Sequence, residues 1–127
     1  MRAKTVAMVS KAVIVGTLLL RGPSSAETGQ ERVVRLAELE IDSAHLESYK
    51  AALQEEIATS IRVEPGVLTL YAVSVKDHHP TFETYANADA YETHLQSPHF
   101  KKYKSGTAGM VKSLKLLETE PILLGAK

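Results

Sequence analysis

Between residues 33 and 41 the chain reads VVRLAELEI. Val33, Arg35, Ala37, Leu39 and Ile41 alternate with Val34, Leu36, Glu38 and Glu40. Period two with many β-branched residues predicts a strand over 33–41 with one better-buried face. Asp42 or Ser43 can then cap a helix by accepting a free backbone N–H. Leu46, Tyr49, Leu53, Ile57 and Ile61 recur at spacings of three and four, predicting a helix over about 43–62. Glu64-Pro65-Gly66 ends it, because proline lacks the N–H that would extend the ladder and glycine accepts the reversing backbone. VLTLYAVSVK (67–76) predicts a second strand with Val67, Thr69, Tyr71, Val73 and Val75 on one face. Asp77-His78-His79-Pro80 reads as a loop, and TFETYA (81–86) as a short third strand closing a hairpin. Asn87 can cap a short helix carrying Tyr91, His94 and Leu95 on one side. Ser97-Pro98 restarts a helix, with serine at the cap and proline at the first position, and Phe100, Tyr103, Thr107, Met110 and Val111 continue the apolar stripe. A last strand over 114–120 precedes an apolar tail at Ile122-Leu123-Leu124.

The order strand, helix, strand, strand, helix, strand is the split βαβ, or ferredoxin-like, arrangement. It predicts an α+β fold with an antiparallel sheet and both helices on one face. Strands with apolar residues on both faces imply that the helix-free face is also buried, most simply against the same sheet of a second copy, so a homodimer is expected.

Composition changes this picture mainly at the front. The 127 residues carry 15 Lys plus Arg against 15 Asp plus Glu and no Cys, which excludes a disulfide framework, a thiolate nucleophile and a zinc finger. That balance hides a partition: Arg2, Lys4, Lys11 and Arg21 lie in residues 1–26, where there is no acid. Removing those four leaves 11 basic against 15 acidic residues, a formal charge of −4. The basic start, the apolar run AVIVGTLLL (12–20), and small Ser24 and Ala26 predict a cleaved export signal over 1–26, with the working domain over 27–127. A periplasmic or secreted location follows, a cytoplasmic one being the alternative. Nine uninterrupted apolar residues fall short of the roughly 20 a membrane helix needs, so no stable anchor is expected. The mildly acidic domain makes nucleic acid an unexpected partner.

Three stretches carry a resemblance: Glu64-Pro65-Gly66, Glu83-Thr84-Tyr85, and most specifically 90–100, AYETHLQSPHF. On these the domain resembles the antibiotic biosynthesis monooxygenase family, in particular its small quinol monooxygenase-like members, over 33–121. The resemblance implies a ferredoxin-like protomer pairing into a dimeric α+β barrel. It also implies oxidation of a small quinol or phenol by molecular oxygen with no metal, flavin or haem. One departure is that only Thr81 and Phe82 separate Pro80 from Glu83, which predicts a shortened third strand. Haem breakdown, known in a related branch, ranks last because that branch's characteristic tryptophan is missing from this chain.

Such chemistry needs an apolar pocket, a proton acceptor for the phenol and donors for the reduced oxygen. His94 and His99 are the first candidates, histidine having a pKa near operating pH. His94 should point to the sheet or pocket, and His99 sits at the second position of its helix. Glu83, beside Phe82 and Tyr85, is a candidate base with a raised pKa, or else the partner of a nearby Arg or Lys. Tyr71, Tyr85, Tyr103 and Phe100 are candidates to hold the aromatic ring. No spacing of His with Asp or Glu has a metal-ligand pattern, so no metal site is expected. The competing expectation is a non-catalytic dimeric barrel that binds a small apolar or aromatic ligand.

Overall fold

The computed structural model of the chain describes residues 31–76 and 78–127. The export signal expected over 1–26 lies outside the described residues. Strand β1 (Val33–Ile41) leads through a 3-10 turn (Ser43–His45) into helix α1 (Leu46–Val63). Strands β2 (Val67–Ala72) and β3 (Thr81–Tyr85) follow, then helices α2 (Ala88–Gln96) and α3 (Pro98–Thr107), and strand β4 (Val111–Glu118). All pairings are antiparallel and the strand order is β2-β3-β1-β4, the ferredoxin-like order expected.

The caps act where the sequence places them. Asp42 Oδ1 accepts the Ala44 N–H at 3.0 Å and Asn87 Oδ1 that of Ala90 at 2.8 Å. Ser97 Oγ accepts the Phe100 N–H at 3.3 Å while donating to the His94 carbonyl at 2.7 Å, so one serine ends α2 and opens α3. Pairing register divides the sheet into two faces. Ala37, Leu39 and Ile41 of β1 pack under Tyr49 and Leu53 of α1, and Val67, Leu70 and Tyr85 form a second cluster with Ala90 and Tyr91 of α2. Ile57 touches both clusters. On the helix-free side Tyr71, Phe82, Leu36 and Leu117 are register partners in one row across all four strands. Tyr71 is 64% and Phe82 45% exposed there, a contiguous apolar stripe that no other element among the described residues covers.

Four local expectations are corrected. The buried stripe of α1 runs Tyr49, Leu53, Glu56, Ser60, and Ile61 is exposed, because the helix rotates its polar Glu56 inward. The third helix stops at Thr107, where the Met110 N–H reaches the Thr107 carbonyl. Met110 and Val111 therefore leave the helical stripe, and Val111 starts β4. Strand β2 does not keep one alternation: its register shifts between Val67 and Thr69, so Val67 and Leu70 both face the helices while Thr69 and Tyr71 face away. Regular pairing of β2 also ends at Ala72, although hydrogen bonds from Val73 to Pro80 and between Val75 and His78 carry the hairpin further. Lys76, at φ 53°, lies in its turn. In the apolar tail Ile122 and Leu123 are exposed. The β3 strand has only five residues, as its spacing predicts.

Gly66 has a spatial requirement. A Cβ there would lie 2.5 Å from the Ala90 Cβ, so glycine permits the close approach of the α1–β2 turn to α2. Among the described residues no helix is long and apolar enough to cross a membrane.

Candidate active site

The helices do not fill the space above the sheet. They leave a cavity of about 260 Å³ bounded by Ala37, Leu39, Leu114 and Leu116 below and by Leu53, Leu95, Phe100 and Tyr103 above. Its polar wall consists of Glu56, Thr81, Glu83, Tyr85, Tyr91 and His94. An apolar chamber with a few converging polar groups is the usual form of a small-molecule site.

Glu83 reaches the cavity because β3 directs Thr81, Glu83 and Tyr85 to the helix side. The Tyr85 hydroxyl donates to Glu83 Oε1 at 2.8 Å. Burial pushes the Glu83 carboxyl above the ordinary carboxylate range, outweighing the Tyr85 hydrogen bond and the Arg35 and His94 charges that pull it down. Arg35 is its cross-strand register partner, yet the guanidinium lies over the Tyr91 ring at 4.6 Å and pairs loosely with Glu118 at 3.9 Å. Glu83 is thus a half-buried carboxylate bonded to a phenol, not half of a tight ion pair.

Tyr85 and Tyr103 are held far above the ordinary phenol range, first by burial. Both stay protonated at neutral pH. Tyr103 shares a 2.7 Å hydrogen bond with Tyr49.

His94 is 3% exposed and forms part of the cavity wall, as its place on the apolar side of α2 predicts. Its Nε2 lies 3.5 Å from Glu56 Oε2 and its Nδ1 3.0 Å from Glu64 Oε2. Ser60 Oγ donates to Glu56 Oε2 at 2.7 Å, and burial again raises the Glu56 carboxyl. His99 does not line the cavity: its Nε2 bonds to Glu64 Oε2 behind the wall. Tyr71 is likewise absent from the cavity, on the opposite face of the sheet, whereas Tyr85, Tyr103 and Phe100 line it.

Two residues escaped the sequence reading. Glu56 carried a signal, being three residues after Leu53 and four before Ser60 on the buried stripe, but a glutamate there reads as surface. Glu64 belongs to the helix-ending, family-like Glu64-Pro65-Gly66, which assigns its side chain no role in the site. Its carboxylate meets His94 and His99 across separations of 30 and 35 residues, which no local spacing reveals. Local spacing shows no metal-ligand pattern, yet the fold brings ligand-type atoms of Glu64, His94 and His99 within 4.8 Å of one another.

The model of the antibiotic biosynthesis monooxygenase family matches residues 32–105, more than half the chain. A solved structure of a candidate antibiotic biosynthesis monooxygenase from Bacteroides thetaiotaomicron is 47% identical, over 78% of this chain and 97% of that one, with a TM-score of 0.74. A candidate monooxygenase from Lactobacillus acidophilus is 33% identical over 68% of this chain, which spans 43% of that longer protein, with a TM-score of 0.67. A third, from Nitrosomonas europaea, is 16% identical over 73% of this chain and 92% of that one at a TM-score of 0.68, a likeness of fold alone. No curated protein matches the chain. With the strand order and the matched segment in agreement, the chain belongs to the antibiotic biosynthesis monooxygenase family.

Proposed function

We propose that this protein is an oxidoreductase that uses molecular oxygen to oxidise a small phenol or quinol in the cavity bounded by Glu83 and His94, its side chains supplying the proton transfers. The observation that carries the reading is Glu83: a half-buried carboxylate with raised pKa, opening on an apolar chamber small enough for one or two aromatic rings. Such a group accepts a phenolic proton near neutral pH more readily than an exposed carboxylate would. The resulting phenolate places electron density on its para carbon, which gives electrons to oxygen and forms a carbon–oxygen bond as a hydroperoxide. Loss of water across that C–H and O–OH then leaves the quinone, so phenol plus O₂ gives quinone plus H₂O. Tyr103, whose hydroxyl can accept from Tyr49 and so keep its own proton free, is the donor in the cavity wall best placed for the reduced oxygen. Leu39, Leu114 and Phe100 exclude bulk water.

The working unit in this proposal is a homodimer. The row Tyr71, Phe82, Leu36 and Leu117 matches a second copy of itself and gives the helix-free face a covering layer. Residues 1–26 act as the export leader.

The test is oxygen uptake by the purified protein with a panel of naphthoquinols and catechols. Consumption well above autoxidation, lost in Glu83→Gln, supports the proposal. No excess uptake with any substrate, or uptake unchanged in Glu83→Gln and His94→Ala, overturns it. The five-residue β3 favours a second reading, a barrel that only binds an apolar aromatic; ligand binding without uptake would select it.

A further inference from the structure

Behind the cavity wall, His94, His99 and Glu64 pose a proton-counting problem. His94 lies between two carboxylate oxygens, Glu56 Oε2 on its Nε2 side and Glu64 Oε2 on its Nδ1 side. A neutral imidazole carries one N–H and can satisfy only one of them. With the proton on Nε2 toward Glu56, the Nδ1 lone pair faces the Glu64 anion, an arrangement a cation between them would reverse from repulsive to attractive. The same Glu64 oxygen faces His99 Nε2, so two imidazole nitrogens and one carboxylate converge. Counting Glu56, two carboxyl groups stand beside two imidazoles with no Lys or Arg among these contacts.

We propose that Glu64, His94 and His99 form a binding site for one divalent transition-metal cation, with zinc the representative ion. Two imidazoles and one carboxylate are a recurrent zinc donor set that leaves a fourth position for water, and imidazole selects against magnesium and calcium, which take oxygen ligands. A tetrahedral ion with bonds of about 2.1 Å holds its ligand atoms about 3.4 Å apart, so small side-chain rotations from the 3.0 Å and 4.8 Å separations suffice. A supporting group stands in place: Glu56 Oε2 lies 3.5 Å from the far nitrogen of His94 and is itself held by Ser60, the position a carboxylate takes in the carboxylate–histidine–metal relay that fixes a ligand's tautomer. His99, only 14% exposed, borders a separate recess of about 130 Å³ with Glu55, Glu56 and Lys102, which supplies the entry path.

This site goes beyond the oxidation proposed above. Of its ligands only His94 borders the cavity, so the cation stays out of reach of substrate there. It fixes His94 as an Nε2–H donor toward Glu56 and the chamber.

The experiment uses the full chain stripped with chelator, with zinc alone as probe in equilibrium dialysis and cobalt as a spectroscopic reporter. The expected result is one zinc per protomer with a Kd on the order of 1 μM or tighter, and visible cobalt bands of a four-coordinate N/O site. His99→Ala and Glu64→Ala weaken binding at least 100-fold, and Glu56→Gln about 10- to 100-fold, with circular dichroism verifying that each variant folds. His45→Ala with His78→Ala, both exposed, leaves binding unchanged. Absence of saturable binding, or equal binding in folded His99→Ala and Glu64→Ala, overturns the proposal. Oxygen uptake by the chelated protein reports on the oxidation reading separately.

Discussion

The Tyr85 hydroxyl donates to the Glu83 carboxylate 2.8 Å away, a bond between residues two apart on one strand and therefore on one face. The pair sets a base and its donor by strand geometry alone. Removing the hydroxyl by Tyr85→Phe deletes an interaction that lowers the Glu83 pKa. The acidic limb of the pH–activity profile should move to higher pH, and stability should fall by about 0.5–1.5 kcal/mol. An unmoved limb in oxygen-uptake assays from pH 5 to 9 would remove Glu83 as the ionising group.

Glu83→Gln should lower turnover about 10²- to 10⁴-fold while leaving the chain folded. Its effect on stability has a definite sign. The folded pKa lies above the unfolded value, so the carboxyl stabilises the fold when protonated and loses that contribution as pH rises through the folded pKa. Glu56 shifts in the same direction. Arg35 and His94 oppose the Glu83 shift without outweighing burial. Urea midpoints of the wild type should therefore decline from mildly acidic to neutral pH, and those of the Gln variant should decline less. A steeper decline in the variant would contradict this sign.

Gly66→Ala forces a Cβ to within 2.5 Å of Ala90 Cβ. A clash between two short side chains cannot be relieved by a flexible tip, and the expected cost is about 1–3 kcal/mol. Because Ala90 is on α2, the push also displaces His94. Adding Ala90→Gly should restore packing and activity together, apart from about 1 kcal/mol for glycine in a helix. Thermal melts of the single and double variants decide it: no recovery in the double variant means the clash is not the cause.

Phe82→Glu places a charge in the middle of the apolar row on the helix-free face. Light scattering at micromolar concentration should give the mass of two protomers for the wild type and one for the variant. A wild-type mass near one protomer would defeat the dimer.

What was legible in the sequence was what local pattern and chemistry encode. Period two in 33–41, the Ser97-Pro98 restart and the Asn87 cap all led to the right elements, because each depends on neighbours within a few residues. His94 and Glu83 were placed correctly for the same reason. The α1 face was misread because hydrophobicity marks Ile57 and Ile61, whereas the helix turns Glu56 and Ser60 inward to partners on distant elements. The Val67/Thr69 register shift was invisible because an extra strand residue leaves no compositional mark. Tyr71 was drawn toward the site by periodicity that this shift breaks. Glu64 was hidden by sequence distance, since a carboxylate meeting histidines 30 residues away is a product of the fold.

The irregularity at Leu68 determines how one edge strand can serve both faces of the sheet. An unbroken alternation from Val67 would point Tyr71 the same way as Val67, and Leu70 the other way. The supernumerary residue resets the parity, giving Val67 and Leu70 to the interior and Tyr71 to the outer surface. Substitution at position 68 should be tolerated far better than its deletion, because the position contributes a count before it contributes a side chain.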